Sequence, residues 1–140
     1  MIYKLSRSSQ EKLETCDPRI QLIIRGVLSL GLMDITVTEG VRSKELQDEY
    51  YSKKKSRVKW PNGKHNVTKP DQKGKAVDVA PYVAGKVSYD QRHCCFLAGL
   101  IQAVAVALGF KIRWGGNWDM DGEPVTDQDF QDLVHFELID

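Results

Sequence analysis

The stretch Ala76-Val77-Asp78-Val79-Ala80 decides the fold, because its alternation predicts a short strand with two different faces. Val77 and Val79 point to one face of this strand, and Asp78 points to the other. Pro81 follows and is predicted to end the strand. The sequence therefore places a single carboxylate opposite an apolar surface that can join a core.

Upstream of this strand, the sequence predicts two helices and one further strand. The pair Asp17-Pro18 provides an N-cap and a first helical residue, and apolar residues follow at helical spacing as far as Gly31. Residues 35–38 alternate and predict a half-buried strand. A second, polar helix is predicted from its cap at Ser43 to about residue 52.

Downstream, the sequence predicts a long helix and two more strands. Ser88 and Gln91 have the spacing of a capping box, and the helix that follows is predicted to end at Gly109. Its apolar residues indicate the central core helix: Phe96, Leu97, Leu100, Ile101, Val104, Ala105 and Leu108. Strands are predicted over 111–114 and 134–139. Helices mixed with short strands indicate a single α+β domain over residues 1–140.

The composition is that of an ordinary globular domain. The chain has 140 residues, of which 41% are hydrophobic and 28% charged, and its formal net charge is +1. No apolar run approaches the ~20 residues of a membrane-spanning helix, and the polar N-terminus is unlike a secretory signal. Cys16, Cys94 and Cys95 are too few and too oddly placed for a disulfide framework. These features exclude a membrane protein and a disulfide-stapled secreted module, and they indicate folding in a reducing cytoplasm.

Charge is unevenly distributed along the chain. Residues 53–75 predict a long loop, and its first part, 53–64, holds six Lys or Arg residues and no acid. Residues 117–140 hold eight acids and no Lys or Arg. The basic stretch is interpreted either as a solvated surface or as a contact for a polyanion, such as nucleic acid or an anionic cell wall.

Two of the three histidines are candidates for a metal site. His93 lies in the long helix without a partner at useful spacing, which favours a structural role. His65 precedes the Asp78 strand, and the alternation of the last strand puts His135 on one face together with Glu137. Hydrolytic zinc sites use three such ligands and an open position for water, whose pKa zinc lowers toward ~7. Spacing alone leaves open both a zinc site and a chance arrangement.

The residues around these candidates resemble a known family. Lys64-His65-Asn66, the stretch from Gly74 to Tyr82, and the stretch from Asp132 to Leu138 resemble the VanY-like peptidases. They are most similar to phage endolysins of the L-alanyl-D-glutamate endopeptidase group. The resemblance implies that His65, Asp78 and His135 bind zinc and that Asp132 is the catalytic acid and base.

Two more segments support the resemblance, and two features depart from it. Residues 38–42 with Gln47 resemble the family's Gly-x-Arg…Gln element, which implies that Arg42 binds the scissile carbonyl region and that Gln47 helps to hold the substrate. Residues 113–118 resemble its Trp-Gly-Gly-(Asp/Asn)-Trp turn. Gly63 stands where many relatives have Ser, and the gap between the first two ligands exceeds the usual six residues.

The resemblance also implies a fold and a biological role. The fold is expected to be a small, mostly antiparallel sheet packed with helices, similar to hedgehog and D-Ala-D-Ala peptidase domains, with no separate wall-binding domain. The expected function is host lysis by zinc-dependent cleavage of peptidoglycan stems. The protein is expected to be a monomer without nucleic acid or stable membrane association, held in the host cytoplasm until the membrane is permeabilised. A D-alanyl-D-alanine carboxypeptidase and a non-catalytic binding module for cell wall or nucleic acid are the alternatives.

The acidic segment contains a candidate calcium loop. Asn117, Asp119 and Asp121 place oxygen-bearing side chains at alternate positions, Gly122 follows, and a residue in 127–129 supplies a later carboxylate. Alternate residues converge on one hard cation in calcium loops, and the glycine permits a sharp turn. Some phage members of the family are calcium-regulated through this region. Such runs are equally typical of ordinary turns.

Overall fold

The computed structural model describes residues 1–140 as four helices and one five-stranded antiparallel sheet. The elements in chain order are α1 (Arg7–Glu14), α2 (Pro18–Ser29), β1 (Asp34–Glu39), α3 (Lys44–Ser52), β2 (Ala76–Val83), β3 (Lys86–Val87), α4 (Gln91–Leu108), β4 (Ile112–Gly115) and β5 (Asp132–Leu138). The strands lie in the order β1-β2-β5-β4, with β3 paired to the end of β2. The predicted α+β class is confirmed.

The sheet has one apolar face, which α4 covers, and α2 packs against α4 in the same core. Val77 and Val79 of β2 are buried there, as the alternation predicts, and Phe136 and Leu138 of β5 lie beside them. The other face of the same two strands carries Asp78 and the alternate residues of β5. The core therefore fixes the strands from one side and leaves polar side chains on the opposite side.

The helix beginnings follow their capping residues, with one correction. Asp17 caps α2, and its carboxylate accepts from the backbone N–H of Arg19. Ser43 caps α3 as predicted. The cap of α4 is Asp90 and not Ser88. The Ser88 hydroxyl instead binds His93 Nδ1 at 2.7 Å and accepts from the N–H of Asp90, so Ser88 shapes the turn before the helix.

Pro81 does not end β2, which continues to Val83. The strand pairs with β5 only from Ala76 to Asp78, so Pro81 lies beyond the reach of β5 while it stays opposite Ile35 of β1. A proline is tolerated where a strand lacks a neighbour on one side, because no ladder hydrogen bond needs its missing N–H. The hairpin to β3, at residues 84–85, was not predicted.

Helix α4 contributes less of its surface to the core than predicted. Leu97, Ala98 and Ile101 are buried, but Phe96 is 50% exposed and Leu108 is 45% exposed. The helix packs on the sheet along one stripe only, so residues on its far side have no neighbours to bury them. Judged by length and composition alone, α4 is the one helix that could cross a membrane, a property that core helices share.

Helix α1 was missed because its residues are mostly polar. Ser6 caps it, and Leu13 is its one large apolar residue that is fully buried. The hydroxyl of Ser9 accepts from the N–H of Val37 at 3.0 Å, which ties the helix to the free edge of β1. This contact covers an otherwise unpaired sheet edge.

The long connection between the first two candidate ligands closes on itself. The N–H of Lys75 donates to the carbonyl of Lys64 at 2.9 Å, so the two ends of the segment between these residues lie side by side. Residues 68–73 between them are exposed, apart from contacts of Lys73 with α1. The extra length therefore forms a surface excursion and leaves the spacing of His65 and Asp78 in space unaffected.

Candidate active site

Three side chains from separate segments converge beside the sheet. Asp78 of β2 and His135 of β5 are direct cross-strand partners, so the strand register places them side by side. His65 comes from the loop after α3, where its carbonyl accepts from the N–H of Arg42 at 2.9 Å. His65 Nε2 lies 3.1 Å from Asp78 Oδ1 and 3.2 Å from His135 Nδ1, and the last two atoms are 3.3 Å apart. All three residues are buried.

The remaining nitrogen of each histidine fixes its tautomer. His65 Nδ1 lies 2.8 Å from the carbonyl of Gly40, which can only accept, so Nδ1 carries the proton. His135 Nε2 lies 2.8 Å from Glu137 Oε1 and donates to that carboxylate. The lone pairs of His65 Nε2 and His135 Nδ1 therefore face each other and Asp78. The position of Glu137 therefore makes it the partner that orients the ring of His135.

Three acceptors this close repel one another unless a positive charge lies between them. Burial lowers the pKa of His135, but hydrogen bonds with Asp78 and Glu137 outweigh it and raise the pKa to about 9. Burial raises the pKa of Asp78, but its hydrogen bonds with His135 and His65 hold the pKa well below the usual range. A proton on His135 and a divalent cation thus compete for the same position between the three side chains.

The spacing of the trio fits zinc. Tetrahedral zinc with bonds of ~2.0–2.1 Å holds its ligand atoms about 3.3 Å apart, and the three separations here are 3.1, 3.2 and 3.3 Å. Two imidazole nitrogens and one carboxylate oxygen are also a donor set of hydrolytic zinc sites. The residues present can therefore hold zinc.

Asp132 lies at the start of β5, on the rim of the same site. It lines the cleft together with His65 and His135 and makes no hydrogen bond through its carboxylate. Burial and the nearby charge of Asp78 raise the pKa of Asp132. The close approach of β4 makes this position possible, because a Cβ on Gly115 would lie 2.1 Å from the Asp132 carbonyl. An unbound carboxylate beside three acceptors is suited to exchange protons.

Arg42 is a buried cation beside the trio. Its guanidinium binds Glu39 through Nε and Gln47 Oε1 at 2.8 Å, and it lies 3.9 Å from Asp78 Oδ2. The ring of Tyr50 lies under it at 4.8 Å. These contacts fix the guanidinium at the wall of the cleft. Arg42 can therefore direct positive charge at a bound carbonyl.

Gln47 is fully buried and connects Arg42 to the loop. Its amide nitrogen donates to the hydroxyl of Ser56 and to the carbonyl of Val58. Its oxygen accepts from Arg42 and, at 3.3 Å, from Asn66. These bonds hold the basic loop against the site, and the substrate contact predicted for Gln47 stays a prediction.

The two tryptophans of the 113–118 turn differ in role. Trp114 is buried in the core, where its Nε1 donates to the carbonyl of Leu133 at 2.8 Å. Trp118 lies in the cleft, 5.4 Å from the ring of His135 and 6.1 Å from the ring of Phe130.

Gly63, which stands where many relatives have Ser, is explained by its contact with Asn66. The Oδ1 of Asn66 would lie 2.7 Å from a Cβ at position 63.

The candidate calcium residues lie in an exposed loop next to Trp118. The carboxylates of Asp119, Asp121 and Asp127 come within 4.8 Å of one another. The amide of Asn117 points its nitrogen to the carbonyl of Asp121, and its oxygen has no hydrogen-bond partner. A hydrogen bond with Asp121 and burial raise the pKa of Asp127 to about 6. The structure brings the carboxylates together, while calcium itself stays a prediction.

The profile of the phage L-alanyl-D-glutamate peptidase family matches residues 1–139. The chain belongs to this family. Its relatives include the L-alanyl-D-glutamate peptidase of Escherichia phage T5, which is 27% identical over 124 residues, 88% of this chain and 87% of the relative. The crystal structure of the Serratia marcescens L-Ala D-Glu endopeptidase ChiX superposes with a TM-score of 0.74 at 28% identity, over 99% of this chain and 90% of that one. These matches confirm the resemblance to phage L-alanyl-D-glutamate peptidases that the sequence motifs indicated.

Proposed function

We propose that this chain is a zinc-dependent L-alanyl-D-glutamate endopeptidase that cuts the stem peptides of bacterial peptidoglycan as a phage endolysin. The observation that carries the proposal is the convergence of His65, Asp78 and His135, with two tautomers fixed so that both lone pairs face the carboxylate. Membership of the family and the names of the phage T5 and Serratia relatives support the bond and the polymer.

In this mechanism the three residues hold the metal, and two others act on the substrate. When bound, zinc would supply a Lewis acid that polarises the scissile carbonyl and lowers the pKa of water toward neutral pH. Asp132 accepts the proton of the attacking water and returns it to the leaving amine of the D-glutamate. The raised pKa of Asp132 lies closer to neutral pH, which favours both accepting the proton and returning it.

Arg42 stabilises the negative charge that develops on the carbonyl oxygen during attack. Glu39 and Gln47 hold its guanidinium in place before substrate binds, so little reorganisation is needed in the reaction. Gln47 acts through Arg42 and through the loop, and we regard it as a positioning residue. Glu137 has the same relation to His135.

Digestion of purified peptidoglycan tests this function and its alternatives. After digestion, mass spectrometry identifies the new chain ends. We expect new carboxyl termini at L-alanine and new amino termini at D-glutamate, dependent on added zinc. Release of free D-alanine would identify a D-alanyl-D-alanine carboxypeptidase instead, and wall binding without any new termini would identify a non-catalytic module.

The cellular role follows from the substrate. As a relative of a phage peptidase, the protein acts on the cell wall at lysis, and we propose that it waits in the host cytoplasm until the membrane is permeabilised. We further propose that it works as a monomer and a single catalytic domain, since the whole site is built from one chain. Light scattering of the zinc-loaded protein measures the oligomeric state.

Calcium is the finer part of the cofactor proposal. The carboxylates at 119, 121 and 127 gather in one loop, and Trp118 links that loop to the ring of His135. Calcium there would order the loop and raise activity. Calorimetry with calcium checks this, and absence of heat at millimolar calcium would make the loop an ordinary acidic turn.

A further inference from the structure

The basic stretch of the loop forms one wall of the active-site cleft. The cleft has a volume of about 560 Å³, and its lining includes His65, His135 and Asp132. Its lining includes five cations, which are Arg42, Lys55, Arg57, Lys64 and Arg113, against two acids, Asp132 and Glu137. Positive charge thus predominates where a substrate must lie.

Two of these cations already pair with carboxylates of the protein. Arg42 pairs with Glu39, and Arg113 pairs with Glu137 at 3.0 Å. Lys55, Arg57 and Lys64 have no carboxylate within 4 Å. These three side chains, here called the cationic wall, lack an anionic partner inside the protein.

The cationic wall is held in place by contacts of its own. The guanidinium of Arg57 lies 4.8 Å from the ring of Phe130, which stacks on Trp118 beside His135. The ammonium of Lys55 lies 5.8 Å from the ring of Tyr50. The buried amide of Gln47 binds the intervening Ser56 and Val58. Aromatic faces hold a cation without neutralising it, so the wall remains available to an anion.

The other basic residues of the stretch behave differently. Lys53 pairs with Glu49 on α3 at 2.7 Å, and Lys59 lies over the ring of Tyr51, outside the cleft. Only part of the basic run therefore faces the site.

We propose that the cationic wall binds the free carboxylate of the D-glutamate next to the scissile bond, and so makes the enzyme selective for stems in which this carboxylate is not amidated. The inference rests on the proposed function. D-Glutamate has two carboxyl groups, of which one continues the stem and the other stays free. That free group lies within a few bonds of the amide nitrogen, while the wall lines one cleft together with His65 and His135.

Two synthetic substrates test this proposal. Both are based on acetyl-L-alanyl-γ-D-glutamyl-L-alanine amide, in which the D-glutamate α-carboxylate is free, and the second carries an amide in place of that carboxylate. We expect the zinc-loaded enzyme to show kcat/KM at least about tenfold higher for the free carboxylate, the size of one charge-assisted contact. In Arg57→Ala/Lys64→Ala we expect KM for that substrate to rise about tenfold, kcat to stay unchanged, and the preference to disappear.

Lys59→Ala is the matched control, because it removes one charge from the same loop outside the cleft and should keep the preference. Arg57→Lys keeps the positive charge and should therefore retain part of the preference for the free carboxylate. If the double variant retains the wild-type preference, the proposal is wrong although the peptidase function stands. If neither peptide is cut, the proposed function fails, and calorimetry with the uncut peptides decides on the wall: tighter binding of the free carboxylate by the wild type supports it, and equal affinities overturn it.

Discussion

At the scale of single residues, the site depends on where each histidine keeps its proton. The carbonyl of Gly40 and the carboxylate of Glu137 accept hydrogen bonds from His65 Nδ1 and His135 Nε2, so the opposite nitrogens are the ones that face Asp78. Neither partner is identified by the sequence with certainty, since a backbone carbonyl leaves no trace in it and Glu137 could equally face solvent. Metal affinity is therefore set by outer contacts as well as by the three ligands.

His135→Ala should abolish activity and most zinc binding, because it removes one of only three protein ligands. His65→Ala should do the same. Glu137→Gln is the comparison, since loss of an outer partner weakens metal binding only about 10–100-fold. Zinc content measured after dialysis and kcat on the stem peptide provide the check. Full activity in either alanine variant would disprove the ligand assignment.

Asp132→Asn should remove turnover and leave zinc bound. Asparagine has the same shape as aspartate but cannot accept and return a proton, so we expect kcat to fall by at least about 100-fold. Zinc stoichiometry and peptide hydrolysis are measured on the same preparation. Loss of the metal in this variant would place Asp132 among the ligands instead.

At the scale of elements, the site is an outcome of strand register. Asp78 and His135 face each other because β2 and β5 pair antiparallel in one register, and a slip of either strand by one residue would turn its own site residue toward the core. Gly115 then allows β4 to approach the first residue of β5. The geometry of Asp132 is therefore controlled by a neighbouring strand.

Gly115→Ala should impair catalysis while zinc stays bound. The new Cβ would lie 2.1 Å from the Asp132 carbonyl, so the start of β5 must move. A displacement of about 1 Å near reacting groups costs roughly 100-fold in rate. Gly99→Ala on α4 is the control, because its Cβ meets open space and should stabilise the protein by about 1 kcal/mol. Thermal unfolding and kcat of both variants decide; unchanged kcat in Gly115→Ala would contradict the account.

The sequence predicted the elements whose signals are local. Asp17 and Ser43 mark helix beginnings, and the alternation around Asp78 and His135 puts both on one face. It failed where tertiary contacts decide. The length of β2 beyond Pro81 depends on which strands lie beside it, and the exposure of Phe96 depends on what covers α4. The contact of the basic loop with the site passes through the buried Gln47, which no local pattern reveals.

At the scale of the whole molecule, the three cysteines remain thiols, with Cys16 just before α2 and Cys94 and Cys95 in α4. Burial raises the pKa of Cys16 to about 11 and also raises the pKa values of Cys94 and Cys95. Thiols held in this form react slowly. Reducing agent should therefore leave activity unchanged, and thiol titration of denatured, unreduced protein should count three. A lower count would show a disulfide that this fold does not contain.

The closed excursion after His65 has a consequence for engineering. Since Lys75 donates to the carbonyl of Lys64, the segment between them joins two points that are already fixed to each other. Its exposed residues 68–72 can thus accept foreign sequence, because added length there changes neither the ligand loop nor β2. A wall-binding module inserted at this point would hang from the surface of the catalytic domain and redirect the enzyme to other hosts without rebuilding its site.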